Sequence, residues 1–139
     1  MKAQVKWIGG VAFAATADSG HNVIMDGAPE SGGSNQGFRP MELVLLGMGG
    51  CTSFDVVEIL KKSRQQIDEC IVEITAERAD AIPKVFTKIH MHFTVKGMNI
   101  EPTRVDRAIS LSAGKYCSAV AMLEKTATIT HDFEIIETA

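Results

Sequence analysis

Residues 40–64 read PMELVLLGMGGCTSFDVVEILKKSR, and this stretch decides the fold. Proline suits the first turn of a helix, because its fixed φ matches helical geometry and its missing N–H would have no partner there. Glu42 lies in that first turn and three basic residues lie in the last, so charges at both ends complement the helix dipole. The pattern predicts one long helix that begins at Pro40 and ends near Arg64.

Residues 43–51 are apolar on nearly every face of this helix and include Gly47, Gly49 and Gly50. A helix that is apolar all round is buried, and each interior glycine costs about 1 kcal/mol of helix stability relative to alanine. The glycines indicate that another backbone or a ligand comes close, or that the helix breaks there and Cys51 begins its second half. Because one small sheet cannot cover such a helix, we expect a homodimer that buries it between two sheets.

Alternating apolar patterns and turn residues place the other elements. The order of strands, helix, strands, helices and strand predicts an α+β fold with an antiparallel or mixed sheet. We expect a mobile loop over residues 28–37, a helix that begins at Pro102 and a shorter one over residues 116–125. The strands are predicted at residues 4–8, 11–16, 22–25, 70–79, 86–95 and 128–136.

The length of 139 residues predicts a single domain, residues 1–139. The net charge is −3 and the lysines and arginines are scattered, so no nucleic-acid partner is expected. No stretch approaches the ~18 apolar residues of a membrane helix, so no membrane partner is expected either.

The N-terminal segment and the cysteines bear on localisation. Apolar residues alternate on both sides of Gly9-Gly10, which predicts a hairpin rather than a secretory signal. Three cysteines without close pairing fit a reducing compartment. The expected localisation is therefore cytoplasmic.

Two cysteines stand at predicted helix starts: Cys51 after Gly49-Gly50, and Cys117 at the second short helix. Because a helix N-terminus favours the thiolate, we expect both to be more acidic than a free cysteine. If the fold joins them, the chain has a reactive thiol and a thiol that resolves it; otherwise they are two small apolar core residues. Cys70 precedes an apolar strand and is interpreted as structural.

Other titratable residues give weaker signals. His90 and His92 share one face of a strand, which is how a two-histidine metal site would begin, but no CxxC or HExxH pattern accompanies them. We interpret them as surface histidines or as histidines with hydrogen-bond partners, and we expect no metal. Asp55 and Glu58 are interpreted as an exposed flank of the long helix.

Three motifs together resemble the OsmC/Ohr family of osmotically inducible and organic hydroperoxide resistance proteins, most nearly its YhfA-like branch. The resemblance implies an OsmC-like fold, with the sheet wrapped around a long central helix in an intertwined homodimer whose active sites lie at the subunit interface. The motifs are Arg39-Pro40-Met41-Glu42-Leu43, the run that ends in Gly49-Gly50-Cys51, and Lys115-Tyr116-Cys117-Ser118.

The resemblance also implies a chemistry. In peroxidase members of the family, the cysteine that matches Cys51 attacks the peroxide O–O bond and becomes a sulfenic acid. The cysteine that matches Cys117 then condenses with it to a disulfide. An external dithiol, a lipoylated protein in some relatives, regenerates the enzyme, and no other cofactor is implied.

The chain departs from the peroxidase pattern at two supporting positions. Aligned on Cys51, the carboxylate at the start of the central helix falls on Met41, and Glu42 is one residue further along. The peroxidases also hold the thiolate with an arginine in the N-terminal strand region, whereas no arginine precedes Arg39 here. Arg39, delivered by the loop before it, and Glu42 are therefore the candidate supporting residues.

Two functions remain open. The first is a thiol-dependent peroxidase for organic hydroperoxides in oxidative-stress defence, with Cys51 attacking and Cys117 resolving. The alternative is a non-catalytic protein that senses redox state or binds a small apolar ligand. Apolar residues around the thiol would favour bulky organic peroxides over hydrogen peroxide; the candidates are Phe38, Met41, Leu45 and Met48.

Overall fold

The computed structural model describes every residue, Met1–Ala139, and forms two compact units, Met1–Leu46 and Gly47–Ala139. The α+β class and the element order predicted above are confirmed, whereas the single-domain organisation stays a prediction. The strands are β1 (Ala3–Gly9), β2 (Ala12–Ala17), β3 (Asn22–Met25), β4 (Gln66–Arg78), β5 (Phe86–Met98) and β6 (Thr128–Glu137). The α-helices are α1 (Pro40–Lys62), α2 (Pro102–Leu111) and α3 (Ser118–Leu123).

The first unit is an antiparallel sheet in the order β1-β2-β3, followed by a loop. Gly9 and Gly10 have φ of +116° and +54°, which suits the tight hairpin predicted there. The loop is anchored rather than loose, because the buried Asp26 carboxylate accepts hydrogen bonds from the Gly27, Ser34 and Gln36 N–H groups at 2.7, 3.1 and 3.1 Å. No residue of the loop predicted over residues 28–37 is itself buried, and its mobility stays a prediction.

The second unit contains a mixed sheet in the order β4-β5-β6. β5 pairs antiparallel with β4 and parallel with β6, which confirms the expected mixed sheet. The chain has a second, separate sheet, which is that of the first unit. Alternate residues of the central strand β5 are fully or almost fully buried, as a strand with one face on the core requires. These core residues are Ile89, Met91, Phe93 and Val95.

α1 runs without a break through its three glycines, so Cys51 lies mid-helix and not at a helix start. A Cβ on Gly49 would lie 2.7 Å from Ile74 Cδ1, which confirms a close approach, although by a side chain rather than a backbone. A Cβ on Gly47 or Gly50 would meet nothing within 4 Å. The alternative of a helix broken at Gly49-Gly50 is therefore wrong.

The expected burial of α1 is only partly reached within one chain. Val44, Leu46 and Phe54 are 41%, 50% and 69% exposed, and the buried residues are few. By length and composition alone α1 would suffice to cross a membrane, contrary to the expectation above, and 28% of its most apolar window is buried. Central helices of water-soluble proteins have the same composition.

Candidate functional site

The second unit brings the two predicted redox cysteines together. Cys51 lies on α1, Cys117 precedes α3, and their thiols are neighbours that influence each other's ionisation. Both are free thiols. The fold therefore joins two residues that are far apart in the sequence.

Cys117 is fixed by the chain on both sides. Residues Ser112–Tyr116 form a π-helical turn after α2, and the Cys117 N–H donates to the Ser112 carbonyl at 2.8 Å. Cys117 then caps α3, as its Sγ accepts a hydrogen bond from the Val120 N–H at 3.4 Å. The helix predicted over residues 116–125 is thus a shorter helix preceded by a π-turn, a feature common at functional sites.

The environment of Cys117 raises its pKa instead of lowering it. Burial disfavours the thiolate and the hydrogen bond with Cys51 adds to this, so that the pKa of Cys117 rises from its ordinary 9.0 to about 11. The Val120 and Ala119 N–H groups lower this pKa, but they do not outweigh burial of a residue that is 3% exposed. The expectation of an acidic Cys117 is therefore wrong, and at neutral pH this thiol is protonated.

The two thiols also differ in access. Cys51 is half-buried, whereas Cys117 is buried. A reagent from solvent therefore reaches Cys51 first. This arrangement suits attack by Cys51 on an external electrophile and closure of a disulfide by Cys117.

Sequence reasoning missed a polar contact beside the thiols. Asp55 is half-buried and not an exposed flank, and its Oδ2 accepts a hydrogen bond of 2.8 Å from the buried Ser112 hydroxyl. Asp55 follows Cys51 by four residues on α1, so the two lie on the same helix face. That spacing was the available signal, but nothing in the sequence identified Ser112 as the partner.

Arg39 and Glu42 lie in the first unit and interact with each other. Glu42 Oε1 accepts a hydrogen bond of 2.7 Å from the Arg39 N–H, so the carboxylate caps the start of α1. The Arg39 guanidinium donates to Asn35 Oδ1 at 2.9 Å and to the Gly37 carbonyl at 3.1 Å. Both candidate supporting residues thus have structural contacts at the start of the helix.

The apolar residues proposed to favour bulky substrates have different exposures. Met48 is completely buried, so it is not available to contact a substrate. Phe38 is 47% exposed and lines a cleft of ≈ 400 Å³ in the first unit.

A second cluster of titratable residues lies on the neighbouring strands β5 and β6. The His90 ring nitrogens lie 2.7 Å from Thr130 Oγ1 and 2.9 Å from Asp132 Oδ1. Those of His92 lie 2.8 Å from Asp132 Oδ1 and 3.3 Å from Glu134 Oε1. We call His90, His92, Asp132 and Glu134 the histidine ladder; its contacts confirm the prediction of partnered histidines.

Two candidates remain, a metal site and Cys70. No group of three or more His, Cys, Asp or Glu side chains is arranged to hold a metal ion. Cys70 is half-buried on β4, and burial raises the pKa of its thiol, in agreement with a structural role.

Comparisons with known proteins agree with this architecture. The family model described as OsmC-like protein matches residues 33–132. Protein YhfA of Escherichia coli K12 is 46% identical over 136 residues, which cover 98% of each chain. A solved structure of a hypothetical protein from Aquifex aeolicus VF5 is 25% identical, with a TM-score of 0.87 over 99% of this chain and 97% of that one. The organic hydroperoxide resistance protein OhrB of Bacillus subtilis shares the fold at 17% identity, with a TM-score of 0.63 over 96% of this chain and 98% of its own.

Proposed function

Since the chain belongs to the OsmC-like protein family, we propose that it is a cysteine-based peroxidase that reduces organic hydroperoxides in oxidative-stress defence. The observation that carries the proposal is the contact between two free thiols of unequal access, Cys51 and Cys117. The substrate class comes from OhrB of Bacillus subtilis, an organic hydroperoxide resistance protein that shares the fold.

In the first step, the Cys51 thiolate attacks the terminal oxygen of the hydroperoxide. The O–O bond breaks, the alkoxide leaves and takes a proton from water to become an alcohol, and Cys51 becomes a sulfenic acid. The Cys117 sulfur then attacks the Cys51 sulfur, the S–O bond breaks, and the departing hydroxide takes the Cys117 proton to form water. The product is a Cys51–Cys117 disulfide.

An external dithiol completes the proposed cycle. It reduces the disulfide by thiol–disulfide exchange and is itself oxidised to a disulfide. A lipoyl-type dithiol is one candidate for this role, and the proposed location is the cytoplasm, where such reductants keep thiols reduced.

We further propose that the chain acts as a homodimer. Every residue of β1 is exposed, with Val5 59%, Trp7 65% and Ile8 51% exposed. α1 also has large apolar side chains on its surface, and apolar surface of this extent marks an interaction site. Light scattering after size exclusion should give twice the 15.0 kDa of the chain, and a monomer of 15.0 kDa would contradict the dimer.

The alternative is a non-catalytic OsmC-like protein that senses redox state or binds a small apolar ligand. The hydrogen bonds of Arg39 and Glu42 favour it, because both side chains already have structural partners. In the peroxidase proposal these residues support the thiolate only if they exchange those partners during the reaction.

Stopped-flow oxidation by cumene hydroperoxide, followed by turnover with a dithiol, distinguishes the two functions. The peroxidase should consume many equivalents of peroxide, with a first step much faster than the oxidation of free cysteine under the same conditions. A single slow modification, no faster than that of free cysteine, supports the sensor or binding protein instead.

A further inference from the structure

Two pairs of residues join α1 to the segment that carries Cys117. On α1, Cys51 and Asp55 are four residues apart and so lie on one helix face. On the other segment, Ser112 begins the π-turn and Cys117 directly follows it. Ser112 contacts Asp55 and Cys117 contacts Cys51, so both ends of the turn are held against the same face of α1.

The buried Ser112 hydroxyl has a hydrogen-bond acceptor, the Asp55 carboxylate. Ser112 is 1% exposed, its hydroxyl donates to Asp55 Oδ2 at 2.8 Å, and the Thr52 carbonyl lies 3.5 Å away. A buried hydroxyl is costly without a partner, and a bond to a carboxylate is stronger than one between neutral groups. The bond to Asp55 therefore fixes Ser112 on α1.

The Ser112 backbone transmits this position to Cys117. Its carbonyl accepts the hydrogen bond of 2.8 Å from the Cys117 N–H, across the π-turn. One residue thus contacts α1 through its side chain and Cys117 through its backbone.

We propose that Asp55 and Ser112 are positioning residues that hold Cys117 against Cys51, so that the two sulfurs form a disulfide readily. The inference rests on the proposed function for its biological setting, but disulfide formation can be measured without a hydroperoxide. Loss of the Asp55–Ser112 bond lowers the effective concentration of one thiol toward the other, because the turn is no longer held on α1.

The test is the thiol–disulfide equilibrium of the full chain with dithiothreitol. Oxidised dithiothreitol and the protein dithiol exchange into reduced dithiothreitol and the Cys51–Cys117 disulfide, so the equilibrium constant reports the effective concentration of the pair. Asp55→Ala and Ser112→Ala should each lower this constant about tenfold or more, the effect of losing a hydrogen bond to a charged group. Each protein is measured well below its thermal midpoint.

Rescue and control variants separate positioning from general stability. Asp55→Asn keeps an oxygen that accepts from the Ser112 hydroxyl, so its constant should stay within about threefold of the wild type. Glu58→Ala removes another half-buried carboxylate of α1, and Ser63→Ala removes a hydroxyl that bonds to the Ile59 carbonyl. Both controls should leave the constant unchanged even if they lower the melting temperature.

Unchanged constants in Asp55→Ala and Ser112→Ala would overturn the inference, and so would an Asp55→Asn protein as impaired as Asp55→Ala. Should Ser112→Ala fail to fold, the comparison of Asp55→Ala with Asp55→Asn decides alone. A wild type that forms the disulfide but does not turn over hydroperoxides would contradict the proposed function and leave this inference intact.

Discussion

The thiol pair and the histidine ladder are two clusters of titratable side chains in the same unit, and they differ in how their polar atoms are satisfied. In the ladder, each histidine ring nitrogen has an oxygen partner on β6, at 2.7 to 3.3 Å. The Cys117 sulfur is buried beside the Cys51 thiol and accepts a hydrogen bond of 3.4 Å from the Val120 N–H. Solvent reaches the ladder, where the Asp132 side chain is 60% exposed.

This difference separates a structural cluster from a candidate reactive one. Mutual hydrogen bonds stabilise the charged forms of the ladder, so the pKa of His92 is raised and that of Asp132 is lowered. Burial of Cys117 instead keeps its thiol neutral, beside a sulfur that solvent can reach. Perturbed pKa values alone do not identify the functional site; burial and access do.

The largest expected effect comes from Cys51→Ser, which should abolish peroxide consumption because serine is not oxidised in place of the attacking thiolate. The matched test on the other cluster is His92→Gln, which should leave consumption unchanged. Stopped-flow assays with cumene hydroperoxide measure both. Loss of consumption in His92→Gln would break the distinction between the clusters.

Cys117→Ser should block turnover but allow the first oxidation. Without the resolving thiol, the Cys51 sulfenic acid persists, reacts with dimedone and is over-oxidised on repeated exposure to peroxide. Mass spectrometry of the dimedone adduct measures this, and Cys70→Ser serves as a control that should turn over normally. Normal turnover of Cys117→Ser, or a disulfide at Cys70, would show that the roles are assigned wrongly.

Local features of the sequence account for most of the elements. Pro40 marks the start of α1, and residues 22–25 were predicted as the strand that the structure shows. The Arg39–Glu42 contact is also local, because a carboxylate three residues after the N-cap reaches back to its N–H. Such interactions depend on neighbours in the chain and are therefore readable from it.

The properties of the site depend on residues that are distant in sequence. The Asp55–Ser112 bond joins positions 57 residues apart, and no periodicity specifies it. The acidity of Cys117 was mispredicted for the same reason: the helix start was recognised locally, whereas the burial that outweighs it comes from tertiary packing. The parallel pairing of β5 with β6, which lies beyond α2 and α3 in the sequence, is likewise long-range.

A smaller effect concerns the alkylation of Cys117 in a Cys51→Ser/Cys70→Ser protein, where it is the only thiol. Removal of Cys51 removes its part of the shift, but burial, the largest cause, remains and keeps the pKa of Cys117 above the ordinary 9.0. Its thiolate fraction at neutral pH is therefore below that of an unperturbed cysteine. Iodoacetamide should therefore react more slowly than with free cysteine, since only the thiolate is nucleophilic. The rate should still be rising at about pH 10, and a plateau near pH 9 would contradict the raised pKa.

The smallest effect is the pH dependence of the stability that the ladder provides. Hydrogen bonds to Asp132 and then Glu134 raise the pKa of His92, while the bonds from His92 and His90 lower the pKa of Asp132. Folded His92 therefore holds its proton more tightly than the unfolded chain does. Its stabilisation is complete below the unfolded value of about 6.5 and is lost as the pH rises through the folded pKa. The contribution of Asp132 is present above its unfolded value of about 3.9 and is lost as the pH falls through its lowered folded pKa.

His92→Gln should therefore reduce the free energy of unfolding most at about pH 5, where both contributions are present, and less at about pH 9. Urea unfolding at the two pH values measures the difference, with His21→Gln as a histidine outside the ladder. The effect should be small, because His92 is one-third exposed and Asp132 more than half, so solvent and salt screen the pair. An equal or larger loss at about pH 9 would mean that His92 stabilises the sheet as a neutral ring, and that the ladder is held by packing rather than by charge.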